Sequence, residues 1–132
     1  NVDILPNEAV ATCDSSLADL LGTTHIEFAL ASATIDPSSN DLLQSVADAA
    51  ANCPGTLRIE GHTDSMGSAN ANELLGDARA EAVREALIER GIPADRLIAE
   101  GFGARRPIDD NSTAEGRAHN RRIEIRVVRA SD

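Results

Sequence analysis

Residues 59–79 of the chain read IEGHTDSMGSANANELLGDAR and combine the end of a strand, a polar loop and the beginning of a helix. Residues 56–60 alternate apolar and polar side chains, which predicts a half-buried strand that ends at Gly61. Between Gly61 and Gly67 the side chains are mostly short and polar, which predicts a tight loop beyond the end of the sheet. Open α/β sheets bind ligands at such positions, so we expect a binding site here.

The helix predicted from about Ser68 onward has an apolar and a polar face. The apolar stripe comprises Ala71, Leu75, Ala78, Ala82 and Ala86. Asn72 and Arg79 are two helical turns apart and share the polar face, with Gly76 between them. Asp64 on the loop and Arg79 on the helix would offer a carboxylate and a guanidinium from two elements. This pair suits a zwitterion that carries an ammonium group beside a carboxylate.

The rest of the chain is predicted to alternate helices and strands. Amphipathic patterns indicate helices over residues 7–21 and 37–52, and β-forming or alternating residues indicate strands over 23–28, 97–100 and 121–128. The helix after strand 23–28 would cross over right-handed, so we expect that strand to run parallel to strand 56–60.

Composition excludes several classes of partner. The 132 residues suit one domain, and their formal net charge of -10 disfavours nucleic acid, whose binding requires clustered cations. Phe28 and Phe102 are the only Phe, Tyr or Trp residues, so an aromatic stacking surface is also disfavoured. No apolar run is long enough to span a membrane. Because the chain begins at Asn1 rather than Met, we expect membrane contact only through a part missing from this chain.

A set of spaced motifs resembles one known family. The motifs are GHTD at 61–64, Gly67, Asn72, Arg79-Ala80, GFG at 101–103, Pro107 and GRAHNRR at 116–122. Over about residues 26–128 they resemble the OmpA-like domain of OmpA, Pal and MotB, which holds peptidoglycan noncovalently. The resemblance implies an α+β fold in βαβαββ order, with helices on one face of a mixed four-stranded sheet. We expect residues 1–22 to form an extension with an amphipathic helix packed on the domain, and residues 23–132 to form the domain itself.

The resemblance also implies a function and a location. It implies binding to the diaminopimelate residue of the peptidoglycan stem peptide, which would anchor an outer-membrane or periplasmic protein to the cell wall. No cofactor is expected, and the location is the periplasm, associated with the outer membrane. The chain departs from the family pattern at Ala29, Ala31 and Gly76. The alternative is therefore an envelope protein–protein interaction module with a weakened peptidoglycan pocket.

Five residues match the ligand site that the resemblance implies. Asp64 would accept hydrogen bonds from the ammonium group, and Arg79 would bind the neighbouring carboxylate. Asn72 matches a family ligand contact, although an Asn near a helix start often bonds only to the backbone. Arg121 could reach the ligand carboxylate or brace the loop. Thr63 could contact the ligand or only tie its own loop together.

The sequence does not indicate an enzyme. A wall hydrolase would need a nucleophile with its base, or a metal-activated water. His62, between Gly61 and Thr63, is more typical of a structural residue than of an acid or base. The spacing of the three histidines and Asp64 matches no metal-ligand signature, so no metal site is expected.

The two cysteines are either a disulfide or two buried thiols. The envelope location implied by the resemblance favours a disulfide between Cys13 and Cys53, because that compartment is oxidising. Closing a loop of this length would stabilise the fold by about 4 kcal/mol in the chain-entropy model.

Overall fold

A computed structural model describes residues 7–128, apart from the side chains of residues 7, 8 and 23. In this part of the chain the helices are α1 (Asn7–Thr23), α2 (Asn40–Ala51), α3 (Ala69–Glu89) and α4 (Ala114–Asn120). The strands are β1 (Thr56–His62), β2 (Leu97–Gly103) and β3 (Arg122–Val128). Two short 3-10 turns, Pro37–Ser39 and Ala94–Arg96, precede α2 and β2. The predicted α+β class is confirmed.

The sheet is mixed, and its strand order is β2-β1-β3. β1 runs parallel to β2 and antiparallel to β3, with Leu57 opposite Leu97 on one side and Val127 on the other. Helix α3 makes the crossover between the two parallel strands. β1 does not end at Gly61 as predicted but continues to His62, so the polar loop begins one residue later.

The prediction of a four-stranded sheet was wrong, because residues 23–28 form no strand in the described structure. Helix α1 extends to Thr23, and residues 27–36 pair locally instead. The Ala29 amide donates to the Thr34 carbonyl at 2.9 Å, and the Asp36 amide donates to the Glu27 carbonyl at 2.8 Å. Only an isolated bridge between Phe28 and Ile35 results. The expected parallel pairing of residues 23–28 with β1 is therefore also absent.

The hydrophobic core lies between the inner face of the sheet and the helices. Alternate residues of β1 and β3 point into it, and α1, α2 and α3 cover them. The large apolar side chains that are almost completely buried there are Leu17, Leu43, Val46, Leu57, Ile59, Val83 and Leu87. The other residues of the same strands are mostly charged, among them Arg58, Glu60, Glu124 and Arg126. This alternation agrees with the prediction of helices on one face.

Helix α3 approaches β1 so closely that only glycine fits at the contact. A Cβ atom on Gly76 would lie 2.7 Å from the Gly61 carbonyl oxygen, and one on Gly61 would lie 2.0 Å from the Gly76 oxygen. This contact sets the rotation of the helix. Asn72 and Gly76 are consequently buried, whereas Ala71 and Ala78 of the predicted apolar stripe are exposed. The predicted apolar stripe of α3 was therefore wrong at Ala71 and Ala78, whereas Asn72 and Arg79 share a face that lines one cavity, as predicted.

Helix α1 is tied to the rest of the core at two points. The predicted disulfide between Cys13 and Cys53 is present, with 5.5 Å between the Cα atoms, and joins α1 to the end of α2. A carboxylate oxygen of Asp14 accepts the Val127 amide at 2.8 Å, on β3. Because Leu17 and Leu21 belong to the common core, α1 packs as an integral layer. The proposed boundary between residues 1–22 and 23–132 stays a prediction.

No helix in the described range 7–128 combines the length and apolar character needed to cross a bilayer.

Candidate functional site

All five predicted ligand-binding residues line one cavity of about 700 Å³. They come from the loop after β1, from α3 and from the end of α4, and are Thr63, Asp64, Asn72, Arg79 and Arg121. The loop of residues 28–35 forms the opposite wall with Phe28, Leu30 and Ala31. A smaller cavity of about 350 Å³ between α1 and β3 contains none of the five. The structure thus brings the predicted residues together, while their role in binding stays a prediction.

Asp64 is held in a fixed position at the bottom of the cavity. It is 8% exposed; one carboxylate oxygen accepts the Met66 amide at 2.9 Å, and the other accepts Arg121 Nη1 at 2.7 Å. The Thr63 amide donates to the Gly103 carbonyl at the end of β2, which ties the loop to the sheet. A carboxylate can accept about four hydrogen bonds, so Asp64 retains capacity for a ligand donor.

Arg79 is half-buried and held by the loop of residues 28–35. Its Nε donates to the Ser32 carbonyl at 2.8 Å, and its guanidinium lies 4.8 Å from the centre of the Phe28 ring. Burial lowers the pKa of Arg79 below its ordinary value; the charge of Arg121 lowers it further, and Asp64 acts in the opposite direction. The guanidinium is therefore oriented by neutral groups and lies near a second cation.

Asn72 and Thr63 make the contacts that a purely structural role would require. The Asn72 side-chain amide donates to the Met66 carbonyl at 3.0 Å, and the Thr63 hydroxyl donates to the Asp64 carbonyl at 2.9 Å. Both side chains are buried, at 7% and 4% exposure. They stabilise the loop that carries Asp64, and their predicted ligand contacts remain untested.

Arg121 follows helix α4, which sequence reasoning missed. Thr113 caps this helix by accepting the Gly116 amide at 2.9 Å, a signal that can be read in the sequence. The fully buried Asn120 accepts the amides of Ile108 and Asp109, which fixes the preceding loop against the helix. Arg121 thereby reaches Asp64 across 57 residues of sequence.

The cavity brings charges of both signs together. Asp64, Arg79 and Arg121, which we call the cavity cluster, bring two guanidinium groups and one carboxylate to the same space. The protein as a whole has a formal net charge of -10, whereas the Asp, Glu and Arg side chains that line the cavity balance, because Glu27 also belongs to the lining. A carboxylate placed between the two guanidiniums would be favoured by charge-assisted hydrogen bonds.

A second charged group lies outside the cavity, among the alternate residues of β1 and β3. We call it the sheet cluster, and it comprises Arg58, Glu60, His62, Arg122, Glu124 and Arg126. Glu60 is fully buried and bonds Arg58 at 2.8 Å and His62 at 3.0 Å. Burial raises the pKa of Glu60, but the hydrogen bonds from His62 and Arg58 and the Arg58 charge outweigh it, and the net shift is downward.

The sheet cluster also contains the one described group of side chains with suitable spacing for a metal ion. The potential ligand atoms of Glu60, His62 and Glu124 lie within 4.8 Å of one another. Arginine guanidiniums already bond both carboxylates, so positive charge surrounds the place that a cation would take. The donor set therefore fits an ion-pair network better than a metal centre.

Comparison with known proteins identifies relatives along most of the chain. The model of the OmpA family matches residues 27–121. The probable lipoprotein YiaD of Escherichia coli is 41% identical over 102 residues, which cover 76% of this chain and 47% of YiaD. The peptidoglycan-binding protein ArfA of Mycobacterium tuberculosis is 40% identical over 103 residues, which cover 77% of this chain and 32% of ArfA. The match thus spans less than half of each of these curated relatives.

A solved structure shows the same fold. The cell wall anchor of the type VI secretion system (T6SS) from Pseudomonas aeruginosa superposes with a TM-score of 0.70 at 30% sequence identity, covering 83% of this chain and 94% of that one. The names of these three proteins describe a lipoprotein, a peptidoglycan-binding protein and a cell wall anchor. The predicted location in the bacterial cell envelope is confirmed by further relatives that are named outer membrane proteins and by a solved periplasmic domain with the same fold.

Proposed function

The chain belongs to the OmpA family, and from this premise we propose that it binds peptidoglycan noncovalently through the diaminopimelate residue of the stem peptide. This contact anchors an outer-membrane or periplasmic protein to the cell wall. The chain is not an enzyme, as predicted, since it belongs to a family of binding domains.

The observation that supports this proposal most strongly is the cavity cluster. Arg79 is oriented by Ser32 and Phe28, so its guanidinium is in place before a ligand arrives. In the proposed complex the ligand carboxylate binds Arg79, and Arg121 lies close enough to share it. The ligand ammonium binds Asp64, whose carboxylate has acceptor capacity left. Pre-organised charges reduce the entropy lost on binding.

Selectivity for diaminopimelate follows from the presence of both charges. A ligand with only an amine would leave Arg79 desolvated without an anionic partner. A ligand with only a carboxylate would leave Asp64 with Arg121 as its charged partner among the described side chains and without the ammonium donor. Leaving a buried charge unpaired costs more than losing a neutral hydrogen bond. A stem peptide with lysine in place of diaminopimelate keeps the side-chain amine but lacks the side-chain carboxylate, so it should bind much more weakly.

Sedimentation with purified sacculi tests the proposal. The wild-type chain should sediment with sacculi, and both Asp64→Ala and Arg79→Ala should remain in the supernatant. Arg105→Ala is the matched control, because Arg105 is an exposed arginine paired with Glu73 outside the cavity. It should sediment like the wild type. Sedimentation of either cavity variant at the wild-type level would contradict the proposal.

One observation favours a second candidate, an envelope protein–protein interaction module. The cavity wall at residues 29–31 carries apolar side chains, including the 98% exposed Leu30, where polar contacts to a ligand would be expected. This candidate predicts that Asp64→Ala leaves binding to a protein partner unchanged. It also predicts that wall fragments bind no more tightly than about 1 mM, which corresponds to roughly 4 kcal/mol.

A further inference from the structure

Two large apolar side chains are exposed at the mouth of the cavity. Leu30 is 98% exposed and Met66 is 62% exposed, and both line the same cavity from different loops. We call these two side chains the apolar rim. A single exposed apolar residue needs no explanation, but two that border one ligand cavity mark a candidate contact surface.

The turn that presents Leu30 is unusual in its backbone. The Ser32 amide donates to the Ala29 carbonyl at 3.1 Å, which closes a turn with Leu30 and Ala31 in its central positions. Ala31 has φ of 52°, a left-handed conformation that a residue with a Cβ atom rarely adopts. Such conformations persist where the surrounding structure maintains them, and they concentrate at ligand contacts.

The same turn is connected to the polar part of the site. The Ser32 carbonyl that follows Ala31 accepts Arg79 Nε at 2.8 Å, so Arg79 and Leu30 are held by one short segment. The apolar rim and the cavity cluster are therefore positioned together.

The cavity is also large for a single diamino acid. Its volume of about 700 Å³ lies in the upper half of the range for pockets that bind drug-sized ligands. The cavity cluster accounts for the recognition of one ammonium and one carboxylate. The remaining wall also contains His25, Glu27 and His119, and its apolar part consists mainly of Phe28, Leu30, Met66 and Leu75.

We propose that the apolar rim is a second contact zone of the site, which binds the alanine side chains near diaminopimelate in the stem peptide. The site then recognises a peptide and not the free amino acid alone. This inference rests on the proposed function, since the apolar rim would contact the part of the same ligand that lies outside the cavity cluster. Each alanine methyl group buried against the rim should tighten binding about fourfold.

Calorimetric titration with matched peptides tests the inference. The ligands are the tetrapeptide L-Ala-γ-D-Glu-diaminopimelate-D-Ala, the same peptide with glycine in place of both alanines, and free diaminopimelate. The wild type should bind the alanine peptide more tightly than the glycine peptide. In the double variant Leu30→Ser/Met66→Ser this ratio of affinities should fall to about one. Leu74→Ser is the control: Leu74 is 65% exposed on α3 outside the cavity lining, and its variant should keep the wild-type ratio.

The outcomes separate the two proposals. If neither free diaminopimelate nor any peptide binds, the proposed function itself is contradicted. If the ligands bind but the alanine and glycine peptides have equal affinity for the wild type, only the apolar rim is contradicted. A ratio that persists in the double variant also overturns the rim, because the alanine contacts would then lie elsewhere.

Discussion

The cavity cluster and the sheet cluster are built from the same chemical groups but differ in how these groups are satisfied. In the sheet cluster, the guanidiniums of Arg58, Arg122 and Arg126 bond carboxylates, and the buried Glu60 has partners on both of its oxygens. In the cavity cluster, Arg121 bonds Asp64, whereas Arg79 bonds a backbone carbonyl. Among the described residues of the two clusters, only the cavity cluster contains a guanidinium without a carboxylate partner, and this guanidinium borders a cavity.

This difference shows how charge can serve stability in one place and binding in another. A network whose charges are already paired gains little from a further ion. Removing one member leaves its partner's charge buried and unpaired. A site whose guanidinium has a backbone carbonyl but no carboxylate as its partner gains a strong contact when an anion enters. We therefore expect changes in the sheet cluster to affect stability and changes in the cavity cluster to affect binding.

The largest expected effect is a loss of stability on removal of the disulfide, without a loss of binding. Replacing both cysteines, Cys13→Ser/Cys53→Ser, should lower the free energy of unfolding by about 4 kcal/mol, because the disulfide closes a loop of 40 residues in the unfolded chain. Urea denaturation measures this change. The folded fraction should still sediment with sacculi, since neither cysteine lines the cavity that contains Asp64. Loss of sedimentation by the folded double variant would show that binding depends on more than the cavity cluster.

The next largest effect tests the sheet cluster. Glu60→Ala should lower the free energy of unfolding by about 3 kcal/mol, because it leaves Arg58 and the buried His62 without their carboxylate partner. Urea denaturation measures this change, and calorimetry with diaminopimelate should show an unaltered affinity. Glu60→Gln, which keeps the shape, should lose less. A weakened affinity in a fully folded Glu60→Ala protein would remove the distinction between the two clusters.

A smaller effect distinguishes charge from geometry in the cavity cluster. Arg79→Lys keeps the positive charge but loses the planar fork and the stacking on Phe28, so affinity for diaminopimelate should fall about tenfold. The matched change Arg58→Lys in the sheet cluster should leave affinity unchanged. Calorimetric titration measures both. Equal affinities of Arg79→Lys and the wild type would mean that the fork makes no contact with the ligand.

The smallest effect is a pH dependence assigned to the sheet cluster. The pKa values of Glu60 and Glu124 are lowered from the ordinary 4.5, because hydrogen bonds and the charges of their arginine or histidine partners outweigh the effect of burial. Their stabilisation is present above the unfolded-state pKa and is lost as the pH falls through the folded-state pKa. The free energy of unfolding should therefore decrease below about pH 4.5. The decrease in the free energy of unfolding with falling pH should be shallower in Glu60→Gln than in the wild type. An identical slope in the two proteins would show that other carboxylates cause the decrease.

The sequence was sufficient to predict which residues gather at the cavity, but on two different grounds. The order of strand, loop and helix indicated Asp64 and Arg79, whereas Asn72 and Arg121 were predicted from the family resemblance. The sequence did not reveal what holds Arg79, since Ser32 lies 47 residues away and the contact uses only its backbone carbonyl. The rotation of α3 was also missed, because it is set by backbone contact between Gly61 and Gly76 and not by an apolar stripe.

The missing strand has a similar explanation. Residues 23–28 contain β-forming side chains, but propensity for a strand depends strongly on the available partner. This segment instead contributes Thr23 to the end of α1 and Phe28 to a local bridge with Ile35. The sequence of the segment contains no distinct pattern that predicts either feature. The helix cap at Thr113, in contrast, could have been recognised, and with it α4.

Calorimetric titration of the oxidised chain with a stem peptide that contains meso-diaminopimelate, with the same peptide containing lysine as the control ligand, tests the central claim most directly. Within the peptide, the lysine residue retains the side-chain amine but lacks the side-chain carboxylate assigned to Arg79. Saturable binding of the diaminopimelate peptide, no measurable binding of the lysine peptide, and loss of binding in Arg79→Ala are the results expected from the cavity cluster. Equal binding of both peptides, or binding of the diaminopimelate peptide that survives in Arg79→Ala, would contradict the account.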